Sequence, residues 1–272
     1  KESGANAKAF SLFEAAAQKS ADPKTQSEAL VESLRLRYQA KDFEGAVKAA
    51  TAAEASMDPT ARAEVVQILA ASLRQTGREN EARQAYDRLL TEHAASATPE
   101  IFYQRLLTLY ALKDPTLPAE ADKFLQTSAD PKPKAAVSLL KAESLFQRLI
   151  DSGERVDESR YYLATSFERQ GQLERAIDNY RLVSIGTNNF LGAQQQATRL
   201  SIALGAVDAA HDWLQRVSRG QPRLEVLFIN MEAQLLQQAG LPAKAKQLLD
   251  RSLNRYPGEV DLLFARVIYF DS

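Results

Sequence analysis

Ser159-Arg-Tyr-Tyr-Leu-Ala-Thr-Ser-Phe-Glu-Arg-Gln-Gly171-Gln-Leu-Glu-Arg-Ala176-Ile-Asp-Asn-Tyr180 reads as two short helices laid back to back. Leu163, Ala164 and Phe167 fall at helical spacing on one face of the first helix. Gly171 follows, where a residue without a β-carbon can take the left-handed conformation that ends a helix. Ala176, Ile177 and Tyr180 then line the inner face of the second helix. Two antiparallel helices approach closely only where side chains are small, which accounts for the alanine at the contact. A unit this short cannot cover its own apolar face, so it has to stack on neighbours.

The glycine-then-alanine pair recurs as Gly77 with Ala82, Gly205 with Ala210 and Gly240 with Ala245. Gly171 to Gly205 is 34 residues and Gly205 to Gly240 is 35, and a period of about 34 belongs to tetratricopeptide units rather than ankyrin, HEAT or leucine-rich ones. The pattern resembles the tetratricopeptide repeat family, which implies an all-α solenoid of helical hairpins wound as a right-handed superhelix. Arg62 to Ala95 is a further unit, with Leu69, Ala70, Leu73, Tyr86 and Leu89 in place. Ser27 to Asp58 keeps Leu34, Ala46 and Ala53 but carries Lys41 where the turn glycine belongs. Leu191 to Gln221 and Val226 to Tyr256 complete five recognisable repeats.

The 272 residues are 45% hydrophobic and 25% charged with a formal net charge of −1, a globular composition. Without a basic excess there is no case for nucleic acid as a partner. No apolar run approaches the roughly 20 residues of a membrane span. The chain opens Lys1-Glu-Ser-Gly and runs into an alanine-rich helix with no leader pattern, which leaves the compartment open between cytosol and periplasm. Zero cysteines exclude disulfides, zinc thiolate sites and a cysteine nucleophile.

Prolines 23, 59, 99, 115, 118, 131, 133, 222, 242 and 257 all fall at junctions or first helical turns, where proline is tolerated. About fifteen helices and no strand are predicted. The register fails between Thr98 and Val156. A helix from Pro99 to Leu112, a turn at Asp114 to Pro118, a short helix to Ser128 and a long helix from about Pro133 to Ser152 leave one helix without a hairpin partner. Either this is an irregular element that bends the superhelix, or residues are missing near Ala129 to Pro133, with the second reading preferred. The resulting division is residues 1–128 as N-terminal repeats, 129–156 as an irregular linking helix, and 157–272 as C-terminal repeats. Ala5 to Ser20 reads as a second helix without its first, and Glu259 to Asp271 as a first helix without its second. A fragment of a longer solenoid is therefore expected, with self-association through the uncovered ends.

Chemistry has little to stand on. His93 and His211 lack gathered partners and read as partly exposed helix-surface residues. No phosphate-cradling glycine loop and no metalloprotease or nucleophile-elbow motif occurs. Glu79, Glu81, Asp157 and Glu158 sit at helix starts, where they complement the helix dipole. No catalytic, metal or cofactor site is expected.

In the family the first helices line the concave face and contact partners through their non-core positions. Carried onto this chain, those positions are Gln67 and Arg74; Glu158, Tyr161, Thr165 and Arg169; Gln195 and Arg199; and Asn230, Gln234 and Gln238. Tyr161 with Tyr162 offers large contact area at low entropy cost. The lysine and asparagine clamp of chaperone-binding members is not reproduced. Trp213, beside Leu214, reads as core or inter-repeat packing.

The stretches Tyr180 to Gly186, Asn189 to Ala193, Glu232 to Leu236, Leu248 to Pro257 and Asp261 to Arg266 go beyond the generic repeat. They resemble tetratricopeptide lipoproteins of the proteobacterial outer membrane, in particular pseudomonad ones that bind and activate a carboxyl-terminal processing protease. This resemblance implies a non-catalytic periplasmic adaptor, anchored at the outer membrane in its full-length form, with that protease and cell-wall hydrolases as partners. The alternative is a structural subunit of a polysaccharide-export or outer-membrane assembly machine.

Overall fold

A computed structural model describes residues 2–128 and 131–270. They form fifteen α-helices and, among the described residues, no strand. The helices are α1 (Glu2–Lys19), α2 (Pro23–Gln39), α3 (Phe43–Ala53), α4 (Pro59–Gln75), α5 (Glu79–Glu92), α6 (Pro99–Ala111), α7 (Leu117–Thr127), α8 (Pro131–Ser152), α9 (Val156–Arg169), α10 (Leu173–Arg181), α11 (Phe190–Ala203), α12 (Val207–Ser218), α13 (Pro222–Gln238), α14 (Pro242–Arg255) and α15 (Val260–Phe270). The chain divides into two compact units, Lys1–Ser144 and Leu145–Ser272, the boundary falling inside α8. Each unit is an all-α solenoid of tetratricopeptide-like hairpins. The prolines sit where expected: Pro23, Pro59, Pro99, Pro131, Pro222 and Pro242 each open a helix.

In the first unit α1 packs on α2, and three hairpins follow: α2–α3, α4–α5 and α6–α7. The third lies where the sequence period breaks, and its turn shows why. After α6, Lys113 takes φ 52°, and Lys41 after α2 takes φ 61°, the left-handed conformation that Gly77 adopts after α4. Asp114 N donates to Leu109 O at 2.9 Å and Lys113 N to Tyr110 O at 3.0 Å, the paired bonds that close a helix C-terminus. Lys41, Gly77 and Lys113 are spaced by 36 residues each. The repeat therefore continues through α6 and α7 without its glycine. Leu34, Ala70, Leu73, Ala82, Tyr86 and Leu89 are buried in one cluster spanning α2 to α5. Leu106, Leu109, Leu117, Ala121 and Phe124 of α6 and α7 form another, joined by Val137 and Leu140 of α8.

Thus α8 is the element without a hairpin partner. Ala129 and Asp130, where lost residues are expected from the sequence, lie outside the described residues.

The second unit holds the hairpins α9–α10, α11–α12 and α13–α14, followed by α15. Ala164 and Ala176, at the α9–α10 contact, are both 0% exposed, and Leu163, Phe167 and Tyr180 are buried around them. Burying each of these large side chains contributes about 1.5–3 kcal/mol. On α15, Leu262 is fully buried, yet Leu263, Phe264, Val267 and Ile268 are exposed. In α13 the small Ala233 is buried in a cluster with Ala245 and Leu249 of α14, and the equivalent residue 34 positions on is the exposed Val267.

Candidate protein-binding surface

The side on which successive hairpins stand closest is the inner side of the second unit. There α11 packs on α13 and α13 on α15, whereas α12 and α14 are separated by a recess floored by α13. The successive first helices therefore share one face of the unit, which corresponds to the inner face of the tetratricopeptide arrangement.

A groove of about 470 Å³ runs across α11, α13 and α15 on this face. Its lining follows the repeat. Gly192, Leu227 and Asp261 are equivalent positions 35 and 34 residues apart; so are Gln195, Asn230 and Phe264, while Gln234 and Ile268 form the next rung. Three of the sequence-predicted residues, Gln195, Asn230 and Gln234, are thereby brought into one cleft. Leu191, Leu227, Phe264 and Ile268, all exposed, give it apolar walls. Among the described residues Asn230 Oδ1, buried at this surface, has no hydrogen-bond partner, and an unused acceptor of that kind costs about 1–3 kcal/mol.

Tyr161, on α9, does not line the groove but lies beside its Gly192. A β-carbon placed on Gly192 would lie 3.8 Å from the Tyr161 hydroxyl, so the ring covers the glycine that opens the α11 end. Tyr161 is also half-buried in an aromatic cluster, its ring 5.5 Å from Tyr180 and 5.7 Å from Tyr162. Tyr162 is more exposed and stacks on Phe146 at 5.7 Å.

The remaining predicted positions are held within the chain or stand in solvent. The Thr165 hydroxyl donates to Tyr161 O at 3.0 Å and lies 3.1 Å from the Tyr180 hydroxyl. Tyr180 in turn donates to Glu168 Oε2 at 3.1 Å, and burial pushes its phenol up to about 12. Arg199 is engaged by the other oxygen of Glu168, and its Nε donates to Gln196 at 2.8 Å. Glu158 pairs with Arg155 at 2.6 Å. In the first unit Arg74 donates to Gln104. Gln67, Arg169 and Gln238 are exposed. Arg199 and Thr165 thus spend their polar groups on joining α9, α10 and α11, while the amides of the groove are left for a partner.

His211 is partly exposed, as expected, but it is not without partners. Its Nδ1 lies 2.9 Å from Glu232 Oε2, and Glu232 is only 3% exposed. Its other ring nitrogen lies 2.8 Å from the side-chain amide of Gln215. Trp213 packs between repeats as expected, partly buried against the α9–α11 core, with Nε1 donating to Gln194 at 2.7 Å. Glu79, Glu81, Asp157 and Glu158 occupy first helical turns.

Sequence reasoning missed the apolar half of the groove. Phe264 and Ile268 fall in Glu259 to Asp271, expected as a first helix left without its second, and Leu227 carries no signal of its own; the repeat offset from Gln195 and Gln234 is what sets all three beside the groove's amides. The groove offers amide donors and acceptors beside exposed aliphatic and aromatic groups, the chemistry that meets a polypeptide backbone and its apolar side chains. Among the described residues no helix is long and apolar enough to cross a membrane.

No known family profile matches the chain. Over 111 residues, 41% of the chain, it is 32% identical to the TPR repeat-containing protein PA4667 of Pseudomonas aeruginosa, and the match spans 19% of that protein. This similarity supports the tetratricopeptide reading. Among solved structures, the Naa15/Naa10 complex bound to HypK-THB aligns with 91% of the chain and 40% of its own matched chain, at 14% identity and a TM-score of 0.34.

Proposed function

We propose that this chain is a non-catalytic scaffold whose first helices hold a segment of another protein in the groove of α11, α13 and α15. The observation that carries this reading is the alignment of Gln195, Asn230 and Gln234 with exposed Leu227, Phe264 and Ile268 along three consecutive first helices. Repeat arrays bind through surfaces spanning several repeats, and a few central side chains supply most of the energy. In its finer form the scaffold is a periplasmic adaptor, held at the outer membrane, that brings cell-wall hydrolases to a carboxyl-terminal processing protease. The resemblance of its C-terminal third to pseudomonad lipoproteins supports that form. Such tethering raises local concentration without any chemistry of the adaptor's own.

The test is calorimetric titration of the purified chain with the protease, beside the double variant Leu227→Asp with Phe264→Asp. Both side chains are exposed, so helical content is expected to stay constant while affinity falls about tenfold or more. Equal affinities for parent and variant would move the contact off the groove. A parent chain that fails to bind the protease, but binds a hydrolase through the groove, would overturn the adaptor form and leave the scaffold.

A further inference from the structure

On the opposite side of the second unit, α12 and α14 flank a recess of about 460 Å³ above α13, a volume in the range of small-ligand and peptide sites. Its charges are unevenly satisfied. Glu225 receives Arg255 at 2.9 Å, the Tyr256 hydroxyl and Gly220 N at 3.3 Å. Glu232 receives His211 at 2.9 Å. Both carboxylates are therefore spoken for within the fold.

The cations are not. Arg219, Lys244 and Arg251 line the recess, are exposed, and make no ion pair among the described residues; Asp208 is the one unpaired carboxylate facing them. The imbalance extends along α14, which carries Lys244, Lys246, Arg251 and Arg255 against Asp250 alone, and Asp250 is taken by Arg266 of α15 at 2.6 Å. In a chain whose net charge is −1, this is a local cationic surface wrapped around a cavity. Leu214, Phe228, Leu236 and Leu248 supply an apolar floor, and Gln215 and Gln247 supply amides.

We infer that this recess is a second binding site, which takes an acidic polypeptide segment with apolar residues interspersed among its carboxylates. The unpaired cations meet the carboxylates, the floor takes the apolar side chains, and the amides serve the backbone. A nucleic acid, charged at every residue, would need a longer track of cations than three side chains in one recess. The site lies on the face away from the inner groove, so one chain could hold two partners at once.

The test is fluorescence anisotropy of the whole chain with a short fluorescein-labelled peptide of alternating glutamate and leucine. The expected result is saturable binding that weakens with salt, falls about tenfold or more in Lys244→Glu with Arg251→Glu, and is unchanged in Leu227→Asp with Phe264→Asp. The neutral pair Lys244→Gln with Arg251→Gln should give an intermediate loss. Absence of binding, binding indifferent to both pairs, or displacement of the peptide by single-stranded oligothymidine at equal concentration would each overturn the proposal. Loss of binding in the inner-groove variant would do the same, by placing the peptide in the groove.

Discussion

His211 Nδ1 lies 2.9 Å from Glu232 Oε2, tying the second helix of one hairpin to the first helix of the next. A carboxyl as buried as Glu232, 3% exposed, is costly to leave without a partner, and the imidazole supplies one. The hydrogen bond to Glu232 raises the His211 pKa above its ordinary value of 6.5, with burial opposing the rise.

The sign of the pH dependence follows. A histidine whose folded pKa is raised adds stability that is fully present below its unfolded value and is lost as pH rises through the folded value. Thermal melts of parent and His211→Gln should therefore differ most at pH values below the ordinary 6.5 and draw together as pH rises above it. A gap that stays constant as pH rises would show that the proton plays no part in the pair.

Ala176 is 0% exposed at the α9–α10 contact, where a β-carbon fills the space between helices. Ala176→Leu is expected to cost about 1–3 kcal/mol by overpacking, read as a lower midpoint in urea. Equal midpoints would mean that the hairpin can open to admit the larger side chain.

Lys113 holds φ 52° where Gly171 holds 73° in its own hairpin. A residue with a β-carbon pays about 1–2 kcal/mol for the left-handed conformation, so Lys113→Gly should stabilise the first unit by about 1 kcal/mol once the flexibility of glycine in the unfolded chain is subtracted. Gly171→Ala should do the reverse. A β-carbon there meets nothing within 4 Å, so any loss is conformational rather than steric. Chemical denaturation of both variants measures the pair of effects.

Gln194 is fully buried and accepts from the Trp213 indole at 2.7 Å, while Arg181 and Arg216 lie 5.2 and 5.6 Å from the indole ring. Gln194→Leu strands the indole N–H and should cost about 1–3 kcal/mol. Because Trp213 is the single tryptophan, its emission maximum should move in this variant and stay in place in Gln195→Leu, one residue along but in the groove.

Arg199 shows where reading positions from a family template reaches its limit. The template places it among partner-contacting positions of the first helix α11, but its guanidinium is committed to Glu168 and Gln196, a choice made by which side chains the superposed hairpins bring into reach. Gln195, four residues earlier, stays available because the rung it shares holds Asn230 and Phe264 rather than an acid.

The hairpins themselves were written locally. Apolar residues at helical spacing, prolines at first turns, and glycine followed five residues later by alanine specify two helices and a left-handed turn without reference to anything distant. Even Lys41 and Lys113 obey that rule in conformation, though not in residue type, which is why α6 and α7, both legible as helices, are not counted as a repeat by a reading keyed to glycine. What only the tertiary structure decided is which polar groups remain unspent. The pairing of Glu232 with His211, of Glu225 with Arg255, and the freedom of Lys244 and Arg251 depend on contacts between helices some 20 or more residues apart. A period alone cannot specify these, because it fixes the spacing of the helices and leaves each charge to find its neighbour in space.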